Sequence, residues 1–419
     1  MTFSLAVSTA IFALISIRQW LPESVRIWQI MTTGALVLVL SGEIHPSEAI
    51  SAVDWNVIAY LFGVFSISHA LYDCGISHRL SALIRDKGKS ADRTLLLFMA
   101  LAALISAVLT NDAAAAIGTP IALTIAFGLG IRPAVPLIAL CVAVTIGSMM
   151  SPVGNPQNIL IVTAGQFDNP VGTFLRWLFA PTLLSLLFAY VWYRRCLARE
   201  AKVETNSLSL PEPTSNRPWP ALSATALLTV LVIADSSLQS RFPEIDVPLG
   251  LISVAASLPI YLFSRRRLTI LREVDWHTLM FFVAMFIVTG AVLKSGALQD
   301  MLGPWQDRLN EPFIVAKVSF WASQLFSNVP VVQIYLNLLP SADTATLMLL
   351  AGISTLAGNL FIISAASNVI VVQQTEKLGA RPFQFWEFAR YVLPVTIVSL
   401  ALCYGWVVYG MTLLGLDAS

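Results

Sequence analysis

Apolar runs long enough to cross a bilayer recur from one end of this chain to the other, and no feature constrains its fold more. A hydrocarbon core about 30 Å thick asks for about 20 apolar residues per helix. Such runs cover 3–18, 27–42, 55–73, 134–165, 172–193, 219–239, 248–264, 276–294, 342–374 and 391–414. Two more, 94–130 and 313–340, are each broken in the middle. They read as two spans apiece or as re-entrant hairpins, and either choice leaves the sidedness unchanged. Charged residues are 12% of the 419 and hydrophobic ones 57%, against about 25% charged in a soluble domain. The ten-residue alternation of an outer-membrane barrel is absent. The expected fold is an all-α polytopic membrane protein in the inner (plasma) membrane, with about ten transmembrane helices. Its surroundings are lipid.

Basic residues set the orientation. Arg79, Arg85, Lys87, Lys89 and Arg93 share one connection. Arg194, Arg195, Arg199, Lys202 and Arg217 share a second, and Arg265, Arg266, Arg267 and Arg272 a third. All three fall on one side of the span list, and the positive-inside rule makes that side cytoplasmic. The N-terminal run, 3–17, lacks the basic start of a cleaved signal and reads as a short first span. A net charge of +1 gives no reason to expect a nucleic-acid partner. The four cysteines are scattered, with neither disulfide nor zinc spacing.

The two halves of the chain are related. VDWNVIAYLFGVFSISHALYDCG begins at Val53 and VDWHTLMFFVAMFIVTGAVLKSG at Val274. Further on, LTNDAAAAIGTP from Leu109 faces FSNVPVVQIYLN from Phe326, and TIGSMMSPVGNPQNILI from Thr145 faces TLAGNLFIISAASNVIV from Thr355. The matches include Asp, Trp and Asn, which are rare in such segments. The sidedness puts Asp54 outside and Asp275 inside, so the repeats are inverted. Inverted repeats with interrupted spans at matching positions mark secondary transporters. No Walker loop is present to suggest ATP as the energy source.

The interruptions come as two symmetric pairs. One pair is the hairpin tips, Thr110–Asn111–Asp112 and Ser327–Asn328–Val329. The other is the polar stretch inside a long span, Ser151 to Asn158 and Gly358 to Asn368. Irregular backbone survives at membrane depth only inside protein or beside a wet cavity, so one central cavity at the midplane is expected. Broken helix ends supply free N–H and C=O groups there. The candidate ligands for substrate or ion are Thr110, Asn111, Asp112, Ser151, Gly154, Asn155, Asn158, Ser327, Asn328, Asn359, Ser364 and Asn368. Gly154 permits backbone shapes closed to other residues, and Pro152 and Pro156 stop the helix from re-forming. Amide and hydroxyl oxygens suit a hard cation, and their donors suit an oxyanion. Na⁺ is therefore the candidate bound ion at Asn111, Asn155, Asn328 and Asn368, with no resident cofactor expected. Asp112 is an acid beside a hairpin tip. An ionisable group there is costly and points to proton coupling, with a helix-capping carboxylate as the bland reading. His69 reads as a packed histidine, and Lys294 as a snorkelling one.

At these motifs the chain resembles the ion-transporter superfamily of arsenite permeases, sodium–proton antiporters, citrate permeases and divalent-anion symporters. TNDAAAAIGTP with GSMMSPVGNPQNIL, then SNVP with GNLFIISAASNVI, look most like its arsenite-permease and anion-permease branches. The resemblance implies a scaffold, a transport part with two re-entrant hairpins, elevator-like movement and often a homodimer. It divides the chain into scaffold helices 1–52, repeat 1 over 53–193 (hairpin 94–130, broken helix 134–165) and a cytoplasmic linker 194–218. Scaffold helices 219–273 follow, then repeat 2 over 274–414 (hairpin 313–340, broken helix 342–374). In the symporters each tip carries Ser-Asn-Thr. Here Asp112 and Val329 hold the third position, so neither tip offers that threonine hydroxyl and one adds a negative charge.

These readings converge on a secondary transporter of a small inorganic anion or oxyacid, arsenite-like, coupled to H⁺ or the membrane potential. A sodium–proton antiporter and a sodium-coupled citrate or dicarboxylate symporter are the alternatives. No paired catalytic arrangement lies in a span, so no enzyme is expected.

Overall fold

The repeated Val-Asp-Trp does the same work in both halves. Asp54 Oδ1 accepts the backbone N–H groups of Asn56 and Val57, and Asp275 Oδ1 accepts that of Thr278 at 3.1 Å. Each acid thereby satisfies donors that a helix start leaves orphaned. Trp55 Nε1 donates back to Ile50 O at 3.3 Å, and Trp276 Nε1 to Leu271 O at 3.2 Å. Each indole ties a long helix to the seven-residue helix before it.

The computed structural model describes residues 3–17, 25–75, 79, 90–165, 167, 169–200, 218–239, 247–296, 308–326, 328–339 and 342–413. Arg85, Lys87, Lys89, Lys202, Arg217 and most of the linker lie outside them. The first half contains α1 (Phe3–Ser16), α2 (Ile27–Leu40), α3 (Pro46–Ala52), α4 (Trp55–Asp73), α5 (Ala91–Val108), α6 (Asn111–Leu129), α7 (Ala134–Met149), α8 (Pro156–Gly165) and α9 (Pro170–Leu197). The second half repeats that order with α10 (Trp219–Gln239), α11 (Leu249–Phe263), α12 (Arg267–Glu273), α13 (Trp276–Lys294), α14 (Pro312–Phe326), α15 (Asn328–Leu338), α16 (Thr344–Ala357), α17 (Ala366–Lys377) and α18 (Phe385–Gly405). The repeat thus takes in the helices before each Val-Asp-Trp as well.

Among the described residues, five helices are long and apolar enough to cross a membrane, and six shorter apolar ones accompany them. The stretch 94–130 resolves into the antiparallel arms α5 and α6. In the second hairpin, α15 has 11 residues, about 16 Å of helix, too short for a core of about 30 Å. This hairpin enters and returns. Both long polar-interrupted runs are broken: α7 stops at Met149 before α8, and α16 stops at Ala357 before a 3₁₀ turn (Ile362–Ser364) and α17.

Two helix groups result. In the first, each half lends a helix to the other: α4 packs along α11, and α2 along α13. A Cβ on Gly63 of α4 would sit 2.5 Å from the Ser253 carbonyl, so glycine is what permits that approach. Both pairs run parallel. Trp28 stacks on His277 at one end of α2 and α13, and Lys294 meets Glu48 at the other. Asn56 binds Gly250 N at one end of α4 and α11, and Asp73 meets Arg266 at the other. The second group holds hairpins and broken helices. There α6 packs on α17 and α15 on α8, so each hairpin lies against the other half's broken helix.

Ion pairs agree with the charge-based sidedness. Arg194 meets Asp92, and Arg132 meets Glu200 and Glu387. All five residues belong to connections or helix ends assigned to the cytoplasmic face. His69 is packed as expected, its Nε2 3.2 Å from Glu273.

Candidate functional site

The site forms where the hairpin tips meet the breaks in α7–α8 and α16–α17. At the first tip, Asn111 N donates to Gly154 O at 2.8 Å. A Cβ on Gly154 would lie 2.4 Å from Ser148 O, so only glycine lets the chain fold back over the end of α7. At the second tip, Asn328 Nδ2 lies 2.7 Å from where a Cβ on Gly358 would stand.

Asn158 and Asn368 close the two breaks in the same way. Asn158 Nδ2 donates to Ser148 O at 3.3 Å and Ser151 O at 2.8 Å. Asn368 Nδ2 donates to Gly358 O at 2.8 Å and Phe361 O at 3.3 Å. These carbonyls lie at the ends of α7 and α16 and in the breaks that follow; Ser148, Ser151 and Phe361 O also accept backbone N–H groups, so each amide adds a second bond across its break. The amide orientation is fixed by this donation, and the Oδ1 atoms of both residues remain unpartnered and buried. The Oδ1 atoms of Asn111 and Asn328 are unpartnered and buried too, as are both polar atoms of Asn359.

Several expected ligands hold the frame instead. Thr110 Oγ1 caps α6 by accepting Ala113 N at 3.2 Å, and it meets Tyr60 Oη at 2.6 Å. The cap is therefore threonine, not Asp112. Asn155 Oδ1 caps α8 by accepting Asn158 N at 2.9 Å, and its Nδ2 reaches Ser148 Oγ and, across the halves, Thr355 Oγ1 at 3.1 Å. Asn155 is thus a cap and a cross-brace rather than one of the unpartnered oxygens. Ser151 Oγ accepts Val153 N within its own turn. Ser364 Oγ donates to Gln324 Oε1 at 2.7 Å. Ser327 lies outside the described residues.

Asp112 is 3% exposed and its Oδ1 has no hydrogen-bond partner. Among the described residues, the side chains gathered here include no lysine or arginine. Unpartnered amide and carboxyl oxygens are the donor set of a hard cation such as Na⁺, and they equally accept the hydroxyls of an oxyacid. Among the described residues no cluster of His, Cys, Asp or Glu could hold a metal ion.

Sequence reasoning missed Gln324, Tyr60, Gln157 and Thr355. Gln324 Nε2 donates to Phe320 O and to Ala357 O, each at 3.0 Å. Gln157 Nε2 reaches Thr355 Oγ1 at 3.4 Å. The signal for Gln324 was present: a lone amide four residues before the tip asparagine, in an apolar helix.

A family model described as citrate transporter matches residues 11–347. The chain belongs to the citrate transporter family. It is accordingly a membrane transporter and not an enzyme. Similar proteins include a transporter of Mycobacterium tuberculosis, 28% identical over 90% of this chain and 92% of its own length. The Escherichia coli inner membrane protein YbiR is 27% identical over 90% and 94%. The rice silicon efflux transporter LSI3 is 23% identical over 88% and 90%. A solved structure, the Alcanivorax borkumensis YdaH transporter, is 15% identical over 98% of this chain and 99% of that one, with a TM-score of 0.46.

Proposed function

We propose that this family member carries a small uncharged or weakly charged oxyacid, arsenous-acid-like, across the inner membrane by secondary transport coupled to H⁺ or the membrane potential. One observation carries the reading. At the hairpin tips and helix breaks, the buried amide oxygens of Asn111, Asn158, Asn328 and Asn368 and the buried carboxyl of Asp112 are unpartnered, and among the described residues no basic side chain bonds to them. A citrate-like polyanion would meet Asp112 without a counter-charge, which is costly at low dielectric. A neutral oxyacid needs only hydrogen bonds. The name of the rice relative, a silicon efflux transporter, points to the same solute chemistry. Asp112 takes up a proton on one side of the membrane and gives it up on the other, in exchange for the solute. The α1–α4 and α10–α13 group serves as scaffold, and the hairpin group moves past it in a homodimer.

The test is flux into liposomes holding the purified protein. Arsenous or orthosilicic acid should move down an imposed pH gradient or potential, and citrate should not. Citrate flux with neither oxyacid carried sinks the reading.

A second reading is sodium coupling, including sodium–proton exchange. The five unpartnered asparagine oxygens, on Asn111, Asn158, Asn328, Asn359 and Asn368, favour it. Melting temperature in NaCl against choline chloride, at matched ionic strength, decides between the two. A ligand at 100 times its Kd stabilises by about 2.7 kcal/mol, so bound Na⁺ gives a rise of several degrees and an empty set none.

A further inference from the structure

A cleft of about 40 Å³ lies between α1, α2 and α13 of one helix group and α14 with the 3₁₀ turn of the other. Its lining includes Ser8, Met31, Phe281, Thr289, Gln324 and Ile363, and none of its lining residues is charged. A water needs roughly 10–15 Å³ of such space, so the cleft admits a few waters or one small hydroxylated solute. Ile363 and Gln324 bring it to the break between α16 and α17. Gln324 is 5% exposed and holds Ala357 O, which ends α16, and Ser364 Oγ, which ends the 3₁₀ turn.

In the first half the equivalent helix is bonded to the tip and second arm of its hairpin. Phe281 and Thr289 occupy in α13 the positions of Tyr60 and Ser68 in α4, by the Val-Asp-Trp alignment. Tyr60 Oη is bonded to Thr110, and Ser68 Oγ donates to Ala116 O at 2.8 Å. In place of Gln324, counting back from the tip asparagine, the first half has Ala107.

The geometry points to this cleft as the vestibule by which an uncharged, hydroxylated solute reaches the second-half break, with Gln324 as the specificity-determining residue at its inner end. The inference rests on the oxyacid reading above. Ser8 and Thr289 offer hydroxyls along an otherwise apolar wall, and Gln324, whose Nε2 is committed to Phe320 O and Ala357 O, offers the second acceptor site of its Oε1. That composition passes a neutral polyhydroxy solute and refuses a bare ion, which would lose its hydration for no compensating charge.

Two measurements on the full chain in liposomes test it. The four native cysteines are buried, so Met285→Cys, on the cleft wall, gives a selectively reactive thiol. Orthosilicic acid flux is read in the same preparation before and after complete modification with a bulky neutral methanethiosulfonate. Modification should abolish the flux, and orthosilicic acid should slow the labelling. Full labelling with flux intact overturns the vestibule while leaving the oxyacid reading standing. Absence of flux of either oxyacid through the wild-type protein overturns both. Second, Gln324→Ala, which installs the residue type of the first half, should raise KM for arsenous acid about five-fold, as one lost hydrogen bond does. It should also change the preference between arsenous and orthosilicic acid, with kcat little altered. A variant that only melts earlier, with KM and preference unmoved, reduces Gln324 to a brace and overturns its role.

Discussion

The same helix meets its hairpin in the first half of this protein and stands off from it across a cleft in the second. Along α4, Tyr60 and Ser68 are both bonded across to the first hairpin, at Thr110 and Ala116. Along α13, the equivalent Phe281 and Thr289 line a cleft. Tyr60 has a hydroxyl to bond to the first tip, and Phe281 has none. The tips differ in parallel: Asp112 stands in one and Val329 in the other. Sequence symmetry therefore supplies the architecture, and the departures from it make the two halves chemically different.

The largest effects are expected where the halves agree. Asn111→Ala or Asn328→Ala removes an unpartnered oxygen from the pocket and should abolish flux while the protein still purifies and melts normally. Asn158→Ala and Asn368→Ala remove donors that close the helix breaks. Each should lower stability by about 1–3 kcal/mol, the loss of two buried hydrogen bonds. Flux and melting temperature, measured side by side on the four variants, separate ligand from staple. Wild-type flux in Asn328→Ala would take that residue out of the site.

The next effect lies where the tips differ. Asp112→Asn keeps the shape of the side chain and removes its charge, so the pH dependence of transport should vanish. Val329→Asn should leave that dependence in place, because the second tip has no titrating group to lose. Flux profiles between acid and neutral pH check both. A profile unchanged by Asp112→Asn would leave Asp112 as a buried polar residue without a coupling role.

A smaller change follows from giving α4 the side chain that α13 carries at the same position. Tyr60→Phe deletes the hydroxyl that meets Thr110 and installs the residue of the other half. The bond contributes about 0.5–1.5 kcal/mol, so amide exchange across 110–116 should quicken by up to about ten-fold. Exchange at the wild-type rate would mean that α4 and α6 hold together through packing alone.

Much of this was legible before any coordinates. The helices, the repeat and the paired breaks follow from apolar run length and from Asp, Trp and Asn at matching positions. The division of labour among polar residues was not. Asn155 and Asn158 look alike in SPVGNPQNILI, yet one caps α8 and the other closes the end of α7. Which hydrogen bonds an amide makes depends on where the chain returns, and spacing alone does not say. Gln324 shows in the sequence as a lone amide in an apolar helix, but its partners Ala357 and Ser364 lie at the second-half break, 33 and 40 residues on, where spacing does not point to them.

The weakest contrast sits at the far ends of the same two helices. Asp73 ends α4 and Lys294 ends α13, at equivalent positions with opposite charge. Asp73 is 12% exposed beside Arg266, whereas Lys294 and Glu48 are 49% and 47% exposed. Lys294 beside Glu48 holds that carboxyl below its ordinary range, so whatever the contact adds is present above the usual carboxylate pKa and lost as pH falls. Solvent screens it, and exposed pairs of this kind often contribute nothing measurable. Lys294→Met should therefore leave the melting temperature unchanged at neutral and acid pH. Asp73→Asn, which strips the charge from the better-buried contact, should lower stability by about 1 kcal/mol. A larger loss from Lys294→Met than from Asp73→Asn would reverse the ranking and show that burial does not set the strength of these two contacts.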